Sequence, residues 1–341
     1  MQFSKIKKHF QWIFLIAVFA VTLWSVFSGE DLSELFTYLQ TVDLTYIWPS
    51  IICVVLFIIG ESVVIAYMLR ALGTKVHFGH CCLYSFIGFF YSCITPSASG
   101  GQPMQVIAMR KDKIPVAVST VVLAIVTITY KLVLVVIGLG VMLLRPPVIM
   151  GYLDSVEMLI WLGLALNVGT ISLLLLLVFH PSLVRKCAEK IVALIHRIRP
   201  FRHPEKIFRR LDDIAGQYTG TADFYRTHKG LIVVVFLITL VQRMILFLVT
   251  WFTYKAFHLT GDSLVTIVLL QGMISVAVDM LPLPGGMGIS ENLFLTMFLP
   301  VFGTELVLPG MVISRGISYY TQLLISAVMT AAASFIIRKK D

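Results

Sequence analysis

Charged residues are scarce in this sequence. Asp, Glu, Lys and Arg make up 13% of the 341 residues, well below the roughly one quarter that is usual in a soluble domain. Hydrophobic residues make up 58% and the mean hydropathy is +0.91. Several apolar runs reach the ~20 residues that a helix needs to cross a bilayer. The composition therefore excludes an ordinary soluble domain and predicts an all-α polytopic membrane protein.

Motifs of several enzyme classes are also missing. There is no G-x-x-x-x-G-K-[ST] loop for an ATPase and no H-E-x-x-H metal site. Asp279 is the only aspartate at membrane depth, so a pair of aspartates for proteolysis is lacking. All eight histidines lie at or beyond the ends of the apolar runs. We therefore expect no metal, no cofactor and no intramembrane catalysis.

Neither the cysteines nor the basic net charge indicates a zinc site, a disulfide framework or a nucleic-acid surface. Five cysteines, at 53, 81, 82, 93 and 187, match neither a zinc site nor a disulfide framework. The net charge of +9 fits cytoplasmic loops of a membrane protein better than a nucleic-acid surface. We expect no nucleic-acid partner.

Six apolar runs are long enough to be full spans, and two more are broken near the middle by Pro and Gly. The full spans are approximately 10–28, 46–69, 115–144, 156–179, 230–257 and 309–337. The broken regions are 80–109 and 263–302. The first run has a basic start but no A-x-A-like site after it, so we interpret it as an uncleaved anchor rather than a signal peptide.

Charge at the ends of these runs predicts their orientation. Segment 29–45 carries four acids and no Lys or Arg, which places it outside. Segment 181–229 has eleven Lys and Arg against five acids, which places it in the cytoplasm, as an interfacial amphipathic helix or a solvated loop. Region 80–109 then begins and ends inside, and region 263–302 begins and ends outside. Both would be re-entrant hairpins, entering from opposite faces, and both chain termini would be cytoplasmic.

This order and orientation of spans and hairpins predicts an inverted repeat within a single membrane domain, 1–341. Residues 46–144 and 230–337 each follow the order span, hairpin, span, but in opposite orientation. Their breaker clusters, TPSASGGQP (95–103) and LPLPGGMGI (281–289), are 185 or 186 positions apart. Chance recurrence of Pro and Gly is the alternative. Inverted repeats are typical of secondary transporters, whose substrate sites lie among broken helices at the repeat interface.

Three acids and three bases fall at membrane depth: Glu61, Lys131, Arg243, Asp279, Glu291 and Arg315. Each costs about 2.5–3.5 kcal/mol at a helix centre, so such residues usually pair or serve a pathway. We predict that Glu291 pairs with Arg315, that Glu61 pairs with Lys131 or Arg243, and that Asp279 caps or satisfies its loop rather than relaying a proton. The bases either lock the two repeats together or contact a headgroup phosphate, a role that suits Arg.

The breaker clusters add backbone to this candidate site. A helix that restarts after a break has unpaired N–H groups and a partial positive charge, which favour an anion. The breaker clusters would form the tips of the two hairpins. We therefore include residues at or beside these two tips among the substrate-binding candidates: Gly100, Gly101, Gln102, Gln105, Gly285 and Gly286.

The strings TPSASGGQP (95–103) and PLPGGMGISE (282–291), with Arg315 in the following span, resemble the flippase-like membrane family. This family is also called the lysylphosphatidylglycerol synthase transmembrane family, and it includes the membrane half of the bacterial multiple-peptide-resistance factor. The resemblance covers nearly the whole chain. It implies a bacterial cell-membrane protein that exposes phosphatidylglycerol or its lysyl form on the outer leaflet, which gives resistance to cationic peptides.

Full-length relatives add a soluble domain that transfers lysine from lysyl-tRNA to phosphatidylglycerol. This chain ends four residues after the last predicted span, so we expect no such enzyme activity. The main hypothesis is a lipid flippase whose partner is a membrane phospholipid, bound by its headgroup between the two tips. The alternatives are a membrane subunit of a separate, soluble (lysyl)transferase and an ion-coupled carrier of a small solute.

Overall fold

A computed structural model describes residues 37–180, 190 and 204–336. The predicted first span, most of the amphipathic part of segment 181–229 and the basic residues after 336 lie outside these ranges. Every regular element within them is a helix, and two prolines form one isolated β-bridge. The prediction of an all-helical chain is therefore confirmed for the described residues.

Twelve α-helices and one π-helix follow one another along the described part of the chain. They are α1 (Leu44–Ala71), α2 (Phe78–Cys93), α3 (Gly101–Lys111), α4 (Val116–Leu144), α5 (Pro147–Leu153), α6 (Glu157–Phe179), α7 (Pro204–Thr227), α8 (Lys229–Ala256), α9 (Leu264–Val278), α10 (Ile289–Met297), α11 (Leu299–Arg315), the π-helix (Gly316–Thr321) and α12 (Gln322–Ile336).

Four helices are long and apolar enough to cross a membrane: α1, α4, α6 and α8, with 28, 29, 23 and 28 residues. They match four of the predicted spans. The last predicted span, 309–337, corresponds to the end of α11, the π-helix and α12, and the kink at Gly303, which has φ 75°, lies before it. Backbone angles at Arg315 and Gln322 are helical, so the chain continues in one direction through the π-helix.

Both broken regions are helix–break–helix units. The first comprises α2 and α3 with the break at 94–100, and the second comprises α9 and α10 with the break at 279–288. Proline cannot continue a helix because it lacks the N–H donor, and each break contains at least one. Each break also contains left-handed residues, which are Ser97 and Ala98 in the first and three glycines in the second. The observed bounds lie within a few residues of the predicted ones, except that α10 ends at Met297.

The two largest hydrophobic cores of the described residues lie at opposite ends of the helix bundle. One core joins α2 and α3 to the end of α1, the start of α4, the end of α6 and the start of α8. The other joins α9, α10 and α11 to the end of α4, the start of α6 and the end of α8. We name the two ends of the bundle after charged residues that they carry. The end with the first core is the basic end, with Arg70, Lys111 and Lys229, and the end with the second core is the acidic end, with Asp43 and Asp262. The two broken units therefore pack into the bundle from opposite ends.

The breaks of the two units meet inside the bundle. Pro96 and Pro284 form the antiparallel β-bridge, and the Ser97 hydroxyl donates to the Leu281 carbonyl at 3.2 Å. The Tyr319 hydroxyl of the π-helix donates to the Cys93 carbonyl at 2.9 Å. These contacts satisfy backbone groups that would otherwise be unpaired in an apolar surrounding. They also enclose a space beside the two tips.

Candidate functional site

A cavity of about 290 Å³ lies between the two tips and the middles of the long helices. Its walls come from α1, α2, α3, α4, α8, α9, both breaks and the π-helix, with single residues from α10, α11 and α12. Most of the predicted site residues line it: Glu61, Gln102, Gln105, Lys131, Arg243, Asp279, Gly285, Gly286 and Arg315. Gly100, Gly101 and Glu291 lie behind this surface.

Asp279 pairs with two bases on different helices. Its Oδ2 lies 2.6 Å from Lys131 Nζ of α4, and its Oδ1 lies 3.9 Å from an Arg243 terminal nitrogen of α8. The interpretation of Asp279 as a loop cap is therefore wrong for its side chain. Only its backbone closes α9, through a hydrogen bond to the Ser275 carbonyl. The Lys131–Asp279 pair joins the first half of the chain to the second.

Arg315 and Glu291 form the predicted ion pair, with 2.9 Å between Arg315 Nε and Glu291 Oε1. The other carboxylate oxygen accepts from the Gly288 N–H at 2.8 Å, and an Arg315 terminal nitrogen donates to the Gly285 carbonyl at 3.1 Å. Glu291 thus occupies the N-terminus of α10 itself. The expected anion site at this helix start is already filled by a carboxylate of the chain.

The second tip fits closely around Tyr319. A Cβ added to Gly285 would lie 2.0 Å from the Tyr319 ring, and Gly285 also has φ +59°. Glycine is the residue that tolerates both conditions. The Arg315 guanidinium lies 4.8 Å from the centre of the same ring. The π-helix begins immediately after Arg315, and π-helical turns occur frequently at functional sites.

Glu61 does not pair with a base. Its Oε1 accepts from Gln105 Nε2 at 2.6 Å, and no Lys or Arg of the described residues lies within ion-pair distance. The prediction that Glu61 pairs with Lys131 or Arg243 is therefore wrong, because Asp279 takes both bases. Gln105 is 3% exposed and links α3 to α1.

Arg243 is the least neutralised base in the site. Its guanidinium stacks over the Tyr130 ring, 3.5 Å from the ring centre, and only 3% of the residue is exposed. Its Nε is buried with no hydrogen-bond partner in the described part of the chain, and its nearest carboxylate oxygen is 3.9 Å away. A buried donor without a partner is rare in folded proteins, so Arg243 retains hydrogen-bonding capacity that the described part of the chain does not use.

The remaining candidates lie at the first tip. Gly101 allows α2 and α3 to approach closely, since an added Cβ would lie 2.1 Å from Ser92 Oγ. The Gly100 N–H donates to Thr95 Oγ1 at 2.9 Å. Gln102 donates to the hydroxyl of Thr127 on α4. These residues shape the first tip, and only Gln102 among them faces the cavity.

Sequence reasoning missed the two tyrosines of the site. Tyr130 precedes Lys131 in α4 and lies under Arg243, and Tyr319 lies four positions after Arg315. For Tyr319 a signal was present, because residues four apart on a helix share one face. Tyr130 gave none, since its partner is 113 positions away.

No group of three or more His, Cys, Asp or Glu could hold a metal ion in the part of the chain that the structure describes. The four long apolar helices and the buried cluster of compensated charges define a class, the polytopic helical membrane proteins with a central cavity that contains charged side chains. A family model described as the lysylphosphatidylglycerol synthase TM region matches residues 12–326, so the chain belongs to that family. The predicted resemblance is confirmed. The family links the chain to the biology of lysylphosphatidylglycerol. No curated protein matches the chain.

Proposed function

We propose that the protein moves a phospholipid across the membrane and binds its headgroup in the central cavity. The observation that carries the proposal is Arg243, a buried guanidinium that lines this cavity and whose Nε has no partner among the described residues. A phosphate would accept the hydrogen bonds that the guanidinium does not make within the protein. Lys131 and Arg315 add positive charge, while their carboxylate partners hold them in place. Phosphatidylglycerol or its lysyl form is the substrate that the family suggests.

The size of the cavity supports a headgroup rather than a whole lipid. Small-molecule pockets usually measure about 300–1,000 Å³, and this one, at about 290 Å³, is at the lower limit. A headgroup fits that volume, and the acyl chains would remain in the bilayer. Movement of a headgroup alone through a polar route is the essential step of lipid translocation, because the apolar core opposes the passage of charge.

The lengths of the broken helices support the re-entrant arrangement. With a rise of about 1.5 Å per residue, α2 and α9 extend about 24 and 22 Å, and α3 and α10 extend about 17 and 14 Å. All are shorter than the ~30 Å hydrocarbon core. Because the two units pack into opposite ends of the bundle, each would enter from one face and return to it.

The spacing of equivalent helices supports the inverted repeat. Helices α1 and α8 both have 28 residues and begin 185 positions apart, at 44 and 229. Helices α2 and α9 begin 186 positions apart, at 78 and 264. The basic end would face the cytoplasm of a bacterial cell, in keeping with the bias of Lys and Arg toward that side. We assign the chain a transport role and no catalytic one.

The test is mass spectrometry of the lipids retained by the gently purified protein and by its Arg243→Gln variant. We expect one headgroup class to be enriched by the unmodified protein and lost from the variant by about tenfold or more, since a charged hydrogen bond contributes about 1.5–3 kcal/mol. Arg145→Gln is the matched control, because Arg145 pairs with Glu157 at the acidic end.

Enrichment lost only in Arg243→Gln supports the proposal. Bulk lipid in equal amount with all three proteins would contradict it. That result would favour the ion-coupled solute carrier or, if a soluble protein copurifies, the membrane subunit of a separate lipid-modifying transferase.

A further inference from the structure

The three acids of the site differ in their partners. Asp279 has Lys131 and Arg243, and Glu291 has Arg315 and a backbone N–H. Glu61 has one partner in the described part of the chain, the neutral amide of Gln105. A carboxylate beside a base remains ionised, whereas one that is buried with no base nearby is costly to keep charged. Glu61 is therefore the acid of this site whose charge can change.

Gln105 can serve both charge states of Glu61. An amide carries donors on nitrogen and an acceptor on oxygen. It donates to a Glu61 oxygen at 2.6 Å, an arrangement that suits the ionised carboxylate, and after reorientation it can accept from the protonated acid. The Arg315 guanidinium, by contrast, has donors only. A carboxyl–amide pair therefore survives the gain and loss of a proton without an unpaired buried group.

The surroundings of Glu61 connect it to the ligand site. It lies in the middle of α1, is partly exposed and lines the cavity. The charged and titratable side chains that line the same cavity are Tyr130 and Lys131 from α4, Arg243 from α8, Cys93 from the end of α2, Asp279 from the second break, and Arg315 and Tyr319 beyond it. None of the bases Lys131, Arg243 and Arg315 forms an ion pair with Glu61, since their carboxylate partners are Asp279 and Glu291.

The charges in and directly behind the cavity wall explain what a proton would do. With Glu61 ionised, the charges of the three acids and three bases of the site cancel. With Glu61 protonated, one positive charge remains, and an anionic headgroup restores neutrality. A proton and an anion therefore bind more tightly together than separately, and the coupling is reciprocal.

We propose that Glu61 is a proton-binding site that couples proton movement to movement of an anionic lipid headgroup. In each cycle Glu61 takes one proton from one side together with the headgroup and releases both on the other side. The proposal rests on the proposed function for the identity of the headgroup. A proton fits the site better than a metal cation, since a hard cation needs several oxygen ligands and one carboxylate and one amide supply few.

The test measures binding of short-chain dihexanoyl phosphatidylglycerol to the purified full chain as pH is varied between about 5 and 8, with simultaneous measurement of proton uptake. We expect affinity to rise as pH falls, by at most about tenfold per pH unit, the limit for one proton. Net uptake of up to one proton should accompany binding. In Glu61→Gln the affinity should be independent of pH and the uptake should vanish.

Two controls separate Glu61 from other titrating groups. Histidines also titrate in this range, but Glu61→Gln retains all eight of them, so a response lost in this variant is not theirs. Glu157→Gln is the matched control at the acidic end, and it should keep the full pH response. Gln105→Leu should move the midpoint of the response to higher pH, because it removes a donor to the ionised form, whereas a purely structural Gln105 would change affinity equally at every pH.

Two results would overturn the inference. One is lipid binding by the unmodified protein that does not depend on pH, and the other is an unchanged pH response in Glu61→Gln. If no lipid binds at any pH, the proposed function fails, and infrared titration decides the proton site separately. A carbonyl stretch of a protonated acid that titrates in the unmodified protein and is absent from Glu61→Gln supports the proton site. The absence of such a band from the unmodified protein would overturn it.

Discussion

At the scale of single residues, the site depends on how closely the second tip packs against Tyr319. Gly285 meets two demands at once, a left-handed backbone and the absence of a side chain against the ring. Arg315 lies over the same ring and donates to the Gly285 carbonyl. The position of this cation is therefore set by the shape of the tip as well as by its carboxylate partner.

Gly285→Ala should destabilise the protein by about 2–5 kcal/mol, combining about 1–2 kcal/mol for a left-handed alanine with about 1–3 kcal/mol for overpacking. The measurement is the unfolding free energy in detergent. Gly73→Ala is the matched control, since Gly73 has φ +74° with nothing within 4 Å of an added Cβ. It should lose only the backbone contribution. Equal losses of unfolding free energy in the two variants would show that the Tyr319 ring moves away from the added methyl group without destabilising the protein.

At the scale of elements, α10 illustrates which pairings a sequence can predict. Glu291 and Arg315 were predicted to pair because they are 24 positions apart and the second broken unit leads directly into the helix of Arg315. Lys131 and Asp279 are 148 positions apart. Their pairing depends on the rotation of α4 and on the position of the second tip, and neither property is encoded in a local pattern. The pairing of Glu61 was predicted wrongly for the same reason.

Glu291→Gln should destabilise the second broken unit, because it leaves Arg315 without a counter-ion and weakens the cap on the Gly288 N–H. Removing one partner of a buried pair costs about 3–5 kcal/mol, and hydrogen exchange along α10 should rise. The exchanged pair Arg315→Glu with Glu291→Arg should recover only part of the loss, since Arg cannot accept from the Gly288 N–H. Full recovery would mean that the cap contributes nothing.

At the scale of the whole molecule, the sequence predicts the number and nature of the broken units better than their contacts. Pro and Gly clusters predict each break, since proline ends a helix locally. The contact between the tips involves residues 188 positions apart, Pro96 and Pro284. It depends on how the halves pack, for which local sequence gives no direct signal. Ser97 and Leu283, which are next to these prolines, line the cavity, so we infer that the contact opens when a headgroup passes.

Joining the tips covalently should stop lipid movement. Residues opposite each other in an antiparallel bridge have Cα atoms about 4.5–5.5 Å apart, within the ~4.4–6.8 Å that a disulfide spans. Oxidised Pro96→Cys with Pro284→Cys should therefore lose translocation of labelled phosphatidylglycerol in liposomes and recover it on reduction. Each single variant keeps the native cysteines and controls for the loss of its proline. If the oxidised double variant translocates as fast as its reduced form, the tips stay together during transport, and the route must run along the other walls of the cavity.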